Sequence, residues 1–137
     1  MKALIDTDVI LDIFLQRTPF VIAANALWVA NEQGHFEAFV SGITPINAFY
    51  FVSKEADIPA AQRAVQLLLA ATGICAIDDN VLQAALYLPI TDYEDAVQHA
   101  SATAGGMDAI VTRNLGDYRH ATLPLFSPAD FLAQLPR

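Results

Sequence analysis

Two aspartates, Asp6 and Asp8, follow a short apolar run at the start of the chain, and a second apolar run begins directly after them. A short apolar segment that ends in polar residues is typical of a buried strand. In an open α/β sheet, ligands bind just beyond the carboxyl ends of the strands. An acid pair at that edge suits a divalent cation, so the function depends on whether other acids reach the same place.

Further polar residues are predicted to lie at the ends of secondary-structure elements. Asp92 and Asp95 begin a predicted helix, and their spacing of three places them on one helix face. Thr112, Asn114 and Asp117 lie at or just after the end of the predicted fourth strand. Both groups therefore place oxygen ligands near the edge of the sheet where the carboxyl ends of parallel strands meet.

These residues meet if the first and fourth strands are neighbours in the sheet. Asp6, Asp95 and Asp117 would then converge, with Asn47 in the first turn of the helix after the second strand. Mg²⁺ or Mn²⁺ prefers such oxygen ligands, and one or two ions can activate water for phosphodiester hydrolysis. Carboxylates of Asp6 and Asp95 more than about 10 Å apart could not share an ion, because ligand bonds are roughly 2.0–2.6 Å.

Each acid also has a purely structural interpretation. Asp92 and Asp95 suit the first turn of a helix, and Asp8 suits the N-cap of the helix that follows it. His99 stands four residues after Asp95 and could face the site, although a lone helical histidine is more often structural. Asp6 is the hardest to explain structurally, because an acid that ends a buried strand is costly without a partner.

The order of elements predicts the fold class. Strands are predicted over 3–6, 36–40, 74–77, 109–112 and 123–126, and helices over 8–15, 21–33, 45–56, 59–70, 79–87, 92–104 and 128–135. Thr44 is the predicted N-cap of the third helix, and Thr91 with Glu94 forms a capping-box pattern for the sixth. The alternation predicts one domain over 1–137, an α/β/α sandwich with a central parallel sheet of four to five strands.

Composition limits the partners of this chain. Fifteen acids against seven bases give a net charge of -8, and without a basic run tight non-specific binding to nucleic acid is disfavoured. The hydrophobic content of 55% indicates apolar surface that a partner or second copy covers. No apolar stretch reaches the roughly 18 residues that cross a bilayer, and no signal-peptide pattern begins the chain. We therefore expect a soluble cytoplasmic protein, in which Cys75 is a buried thiol.

Four segments, in this order and spacing, resemble PIN domains, which include the VapC-type toxins of toxin–antitoxin pairs: IDTDVILD, SGITPIN, DYEDAVQHASATAGG and IVTRNLGDY. The resemblance implies an α/β/α sandwich whose acids bind Mg²⁺ or Mn²⁺ and cleave single-stranded RNA. Carried over by position, it implies that Asp6 and Asp95 bind the metal. It further implies that Asp117 positions metal or water and that the Thr112 hydroxyl steadies the cluster.

Two asparagines depart from the family pattern. Asn47 stands where the family usually has its second acid, and Asn114 stands where an acid often follows the threonine of strand four. Because the affinity for a hard cation rises with the number of charged ligands, both changes weaken the predicted site. Asp92 and Asp8 are the candidates that compensate, and Asn47→Asp should tighten metal binding.

Two other functions stay open. DTDV also resembles the D-x-D loop of haloacid dehalogenase-type phosphatases, whose first aspartate is a nucleophile. That chemistry needs a mid-chain lysine against the phosphate, and Lys54 lies at a predicted helix end away from the acids. The second alternative is a PIN-fold binding module with a weakened or inactive metal site, which the acidic composition and the two asparagines favour.

A partner surface is predicted on the third helix. Phe49 to Val52 form an aromatic and apolar segment, which on a helix is more often core or interface than a base-stacking surface. We expect it to receive a second copy, giving a homodimer, or an antitoxin helix. An arginine from an antitoxin would suit the acidic cleft, because guanidinium groups bind carboxylates well.

Overall fold

Five parallel strands form one sheet in the computed structural model, which describes residues 1–118 and 121–136 and, for Asp117, the backbone alone. Their bounds are β1 (Lys2–Ile5), β2 (Glu37–Ser41), β3 (Gly73–Cys75), β4 (Ala109–Val111) and β5 (Leu125–Phe126). Their order in the sheet is β3-β2-β1-β4-β5, and every neighbouring pair is parallel. This confirms the predicted sheet and places β1 at its centre.

Helices cover both faces of the sheet. The described residues contain α1 (Thr7–Phe14), α2 (Val21–Glu32), α3 (Ile43–Glu55), α4 (Ile58–Ala71), α5 (Asp79–Ala85), α6 (Tyr93–Ala104) and α7 (Pro128–Gln134), with a 3₁₀ helix over Leu115–Tyr118. Successive residues of a strand point to opposite faces. Ala3 and Ile5 accordingly pack in the core beneath α1, α2 and α7, whereas Leu4 packs in the core beneath α5 and α6. The three-layer α/β/α sandwich is thereby confirmed.

The register of β1 and β4 positions the site. Ile5 pairs with Val111, and the N–H of Asp6 donates to the carbonyl of Val111 at 2.9 Å. The next residues of the two strands, Asp6 and Thr112, therefore emerge side by side at the carboxyl edge of the sheet. The prediction that the first and fourth strands are neighbours is confirmed.

The predicted N-cap at Thr44 is wrong. The helix α3 already begins at Ile43, with Gly42 at the N-cap position and no side-chain cap. Thr44 is buried inside the first turn, where its hydroxyl shares a hydrogen bond of 2.8 Å with the hydroxyl of Thr7. The threonine joins α3 to α1 instead of capping its own helix.

The caps of two further helices also differ from expectation. Asp6, not Asp8, occupies the N-cap position of α1, and its side chain makes no capping bond because it faces the site instead. Asp92, not Thr91, caps α6 by accepting a hydrogen bond of 3.1 Å from the N–H of Asp95. The predicted cap at Asp8 and the predicted capping box of Thr91 and Glu94 are therefore wrong.

The predicted partner surface is only partly available. Phe49, Tyr50 and Phe51 are exposed, but Val52 is buried and packs against Ala61 of α4. Val52 therefore belongs to the contact between α3 and α4.

Two smaller predictions can be compared with the structure. Cys75 is a buried thiol, as expected, and its burial raises its pKa to about 11. Across the described residues, every helix is too short or too polar to cross a membrane.

Candidate active site

Asp6 is a buried carboxylate that is held by neutral groups. Only 4% of its surface is exposed. Its Oδ1 accepts a hydrogen bond from Gln98 Nε2 (2.8 Å), and its Oδ2 accepts one from Thr112 Oγ1 (2.7 Å). Burial raises the pKa of Asp6, the two hydrogen bonds oppose that rise, and the charge of Asp8 adds to it. A carboxylate in this setting favours a cation, because a positive charge offsets the cost of desolvation.

A short chain of hydrogen bonds connects Asp6 to Asp95. Gln98 Nε2 also donates to the hydroxyl of Tyr118 (3.1 Å), which in turn donates to Asp95 Oδ1 (3.3 Å). Together with the bond from Gln98 to Asp6, these contacts limit the separation of the two carboxylates to less than about 10 Å. That distance is short enough for the two acids to bind one ion together, either directly or through its water ligands.

Tyr118, like Gln98, is a fully buried member of this hydrogen-bond network. Burial raises the pKa of its hydroxyl, and the nearby charges of Asp6 and Asp95 raise it further. The phenol is therefore protonated at physiological pH, and it donates its proton to Asp95. In this way the 3₁₀ helix orients a carboxylate of α6.

Three consecutive side chains after β4 each donate to a different acid in the segment that follows β1. Thr112 Oγ1 donates to Asp6 Oδ2 (2.7 Å), Arg113 Nε donates to Asp12 Oδ2 (2.9 Å) and Asn114 Nδ2 donates to Asp8 Oδ2 (2.8 Å). The backbone N–H of Asn114 also donates to Thr112 Oγ1 (3.0 Å). The loop after β4 is thus fastened to the start of α1, and the fastening sets the positions of Asp6 and Asp8.

Both asparagines that depart from the family pattern donate to carboxylates. Asn114 binds Asp8, and Asn47 Nδ2 donates to Glu94 Oε1 at 2.8 Å. Partial burial raises the pKa of Glu94; the bond from Asn47 opposes this, and the negative charges of Asp92, Asp6 and Asp8 raise it further. Glu94 therefore lies within the electrostatic reach of the acid cluster, on the side of α3.

The carboxylates at this edge of the sheet are chemically suited to bind a hard cation. Asp6, Asp8, Glu94 and Asp95 offer carboxylate oxygens at one edge of the sheet, which are ligands that Mg²⁺ and Mn²⁺ prefer. Across residues 1–118 and 121–136, with the Asp117 side chain left aside, no three acids, histidines or cysteines lie close enough to form a complete metal site. Mg²⁺ commonly uses one or two protein carboxylates and keeps several waters, so the arrangement of Asp6 and Asp95 still suits it.

The structure brings most of the predicted site residues to one edge. Asp6, Asp8, Asp95, Thr112 and Asn114 are joined there by hydrogen bonds. The exposed Asp92 caps α6 beside them, and Asn47 reaches them through Glu94. Asp117 lies in the 3₁₀ helix, and its side chain lies outside the described part of the structure, so its role stays a prediction.

Sequence reasoning missed three residues of this cluster. Gln98 carried a signal, because it stands three residues after Asp95 on the same helix face. Glu94 was interpreted only as part of a cap, and Tyr118 had no local signal. His99 turns away from the acids: its Nε2 accepts from the N–H of Thr122 (3.0 Å), and burial lowers its pKa, which agrees with a structural role.

Solved structures of similar fold are known. VapBC2 from Rickettsia felis, described as bound to a DNA fragment from its promoter, has 17% identity and a TM-score of 0.70 over 93% of this chain and 98% of that one. A toxin–antitoxin complex from Klebsiella pneumoniae has 23% identity and a TM-score of 0.70 over 92% and 97%. VapC20 from Mycobacterium tuberculosis, described as a Sarcin-Ricin loop cleaving toxin, has 12% identity and a TM-score of 0.65 over 98% and 96%. At these identities the likeness concerns the fold.

The family is defined by sequence as well. A family model described as PIN domain matches residues 2–116, and this chain belongs to the PIN domain family. A comparison with curated proteins found no match. The fold is therefore that of a nuclease family, and the activity of this chain and its substrate are matters for proposal.

Proposed function

We propose that this protein is a metal-dependent endoribonuclease that hydrolyses single-stranded RNA with Mg²⁺ or Mn²⁺, as the toxin of a toxin–antitoxin pair. The observation that carries the proposal is the buried Asp6. Its carboxylate has only neutral hydrogen-bond donors among its described contacts, and Gln98 and Tyr118 link it to Asp95. A bound cation would balance the buried charge of Asp6, and it would activate water and stabilise the leaving oxygen.

The residues have distinct roles under this proposal. Asp6 and Asp95 bind the ion, and Asp92 and Asp117 are further candidates for ligands. Thr112 and Asn114 orient Asp6 and Asp8 by donating hydrogen bonds to them. Asn47 contributes through the carboxylate that it holds. The acidic surface predicts weak general affinity for RNA, so selection of the substrate has to rest on a few specific contacts.

Single-charge substitutions test the proposal. Asp6→Asn and Asp95→Asn keep the size of each side chain and should abolish Mn²⁺-dependent cleavage of single-stranded RNA, while circular dichroism shows an unchanged fold. Glu37→Gln is the matched control, because it removes the same charge from an exposed position at the start of β2, on the opposite edge of the sheet. Activity retained in both aspartate variants would reject the assignment.

The alternative binding module makes a different prediction for the wild type. Asn47 and Asn114 favour it, because each replaces a carboxylate of the family pattern with an amide. Calorimetric titration of the wild type with Mn²⁺ separates the two functions. No heat of binding together with no metal-dependent cleavage would leave only the module, whereas both signals would support the nuclease. Activity on small phosphate esters without activity on RNA would instead favour the D-x-D phosphatase.

We propose the exposed Phe49, Tyr50 and Phe51 of α3 as the partner surface. Two of the similar structures are complexes of toxins with antitoxins, which supports an antitoxin as one partner. A second copy of the chain is the other, and the homodimer is tested by sedimentation velocity at micromolar concentration. A dimer that dissociates in Phe49→Ser/Phe51→Ser supports this face, and a monomeric wild type counts against self-association.

A further inference from the structure

Two buried threonine hydroxyls extend the hydrogen-bond network of the acids to α1 and α3. The hydroxyls of Thr44 and Thr7 are joined at 2.8 Å, and Thr7 Oγ1 lies 3.3 Å from Gln98 Oε1. We propose that these two threonines are positioning residues of the site, because they set the direction of the Gln98 carboxamide. Gln98 in turn positions Asp6 and Asp95. The inference rests on the proposed function, in which these two carboxylates bind the ion.

The direction of each hydrogen bond follows from the carboxylate at the centre of the network. An ionised carboxylate accepts hydrogen bonds and donates none, so the Gln98 atom that lies 2.8 Å from Asp6 Oδ1 is the amide nitrogen Nε2. The other amide atom, Oε1, only accepts, so Thr7 donates its hydroxyl proton to it. Because that proton is committed to Gln98, Thr7 accepts the proton of Thr44 in the bond between the two hydroxyls. The donations therefore run from α3 through α1 to α6.

The carboxamide of Gln98 is held at three points. Its nitrogen donates one proton to Asp6 Oδ1 and the other to the hydroxyl of Tyr118 at 3.1 Å, and Tyr118 donates its own proton to Asp95 Oδ1. Its oxygen is held by Thr7 on the opposite side. Any rotation of the amide plane therefore disturbs the contacts of both acids at once.

Burial makes the threonine hydroxyls hard to replace. Thr7, Thr44 and Gln98 are all buried, so solvent does not substitute freely for a lost hydroxyl. Without Thr7 Oγ1, the oxygen of Gln98 has no donor within residues 1–118 and 121–136. A buried carbonyl without a donor is costly, which favours a rotation of the side chain toward another donor. Such a rotation moves Nε2 away from Asp6, although Thr7 itself donates to neither acid through its side chain.

Thr7→Val tests the inference, because it keeps a branched side chain and removes the hydroxyl. We expect the affinity for Mn²⁺, measured by calorimetry on the full chain, to fall about 3- to 10-fold, since the carboxamide loses one of its contacts. Thr7→Ser retains the hydroxyl and should stay within about twofold of the wild type. Thr72→Val is the matched control and should also stay within about twofold, because its hydroxyl donates over 2.8 Å to the carbonyl of Leu68, before β3 at the opposite edge of the sheet.

Two further variants test the route through Gln98. Gln98→Met removes the amide, so it should lose at least as much Mn²⁺ affinity as Thr7→Val. Thr44→Val should lose an intermediate amount, because Thr7 keeps its donation to Gln98 but its hydroxyl is less firmly oriented. The unfolding temperature in EDTA verifies that each variant folds. If Thr7→Val does not fold, Thr44→Val decides, and a loss no larger than that of Thr72→Val would overturn the inference.

A purely structural role for Thr7 gives a different set of results. Thr7→Val would then lower the unfolding temperature in EDTA and bind Mn²⁺ as tightly as the wild type, which would overturn the inference. Equal losses of affinity in Thr7→Ser and Thr7→Val, or a smaller loss in Gln98→Met than in Thr7→Val, would also overturn it. In each of these cases the wild type still binds Mn²⁺, so the proposed function survives. A wild type that binds no Mn²⁺ and cleaves no RNA would instead reject the proposed function, and this inference with it.

Discussion

Asp6 and Asp12 lie six residues apart and are both buried, but the hydrogen-bond partners of their carboxylates differ in charge. Asp12 is 1% exposed and binds Arg113 through two hydrogen bonds, from Nε (2.9 Å) and from the second guanidinium nitrogen (3.2 Å). Arg17 adds a longer contact of 3.7 Å. Within residues 1–118 and 121–136, the side-chain donors to Asp6 are the neutral groups of Gln98 and Thr112. The ion pairs found in the described residues both involve Asp12.

The difference separates a structural acid from a functional one. A buried carboxylate with an arginine partner is neutralised within the fold, and the guanidinium of Arg113 is also stacked on Phe20, 4.1 Å from the ring centre. A buried carboxylate with neutral donors keeps an unbalanced charge, which an external cation can balance. The comparison predicts that disturbing Asp12 changes stability, whereas disturbing Asp6 changes the response to metal and pH.

The largest effect on stability is expected from Arg113→Ala. It leaves Asp12 buried with only the distant Arg17, so the free energy of unfolding should fall by about 2–3 kcal/mol, somewhat less than for a fully buried pair because Arg113 is a quarter exposed. Urea denaturation in EDTA measures the change. Arg63→Ala, an exposed arginine on α4, should change stability by less than about 0.5 kcal/mol. Equal losses in the two variants would show that Asp12 does not depend on its partner.

Much of this arrangement is predictable from sequence because it follows from local rules. The apolar run before Asp6 and the run before Thr112 are strands, and parallel strands place their carboxyl ends at one edge. Helical spacing puts Asp95 on the face that meets that edge. The family resemblance supplied the order of the acids, and the PIN domain match over residues 2–116 confirms the resemblance itself.

The partners of the acids were not predictable, because they come from contacts distant in the chain. Gln98 meets Asp6 across 92 residues, and Tyr118 meets Asp95 across 23, through the packing of α6 and the 3₁₀ helix on the sheet. Composition cannot distinguish Asp6 from Asp12, since both are acids beside apolar residues. Arg113 became the partner of Asp12 only through the register of β1 and β4.

A smaller effect is expected from Tyr118→Phe. The change removes the hydroxyl that joins Gln98 to Asp95, so it costs about 1 kcal/mol of stability and frees Asp95 to reorient. We expect the free energy of Mn²⁺ binding to change more than the free energy of unfolding, because Tyr118 orients the proposed ligand Asp95. Mn²⁺ titration of Tyr118→Phe and of the control Tyr87→Phe, whose ring is exposed on the surface, measures this. Identical affinities would remove Tyr118 from the group of positioning residues.

The smallest expected effect is a change of slope with pH rather than the loss of a contact. Burial raises the pKa of Asp6 above its ordinary value of 3.8, so the folded chain holds this proton to a higher pH than the unfolded chain does. Between those two pKa values the folded state binds more protons, and the stability contributed by Asp6 therefore falls as the pH rises. In EDTA, the free energy of unfolding of the wild type minus that of Asp6→Asn should decrease from about pH 4 upward and level off once folded Asp6 is ionised.

Mn²⁺ reverses this trend if Asp6 binds the ion. The cation favours the ionised carboxylate, so saturating Mn²⁺ at neutral pH should raise the unfolding temperature of the wild type and leave that of Asp6→Asn nearly unchanged. Arg113→Ala provides the contrast, because its defect lies at Asp12 and Mn²⁺ should still stabilise it. A pH-independent difference between the wild type and Asp6→Asn would mean that neutral donors balance this carboxylate as fully as Arg113 balances Asp12. The distinction between the two buried acids would then be lost.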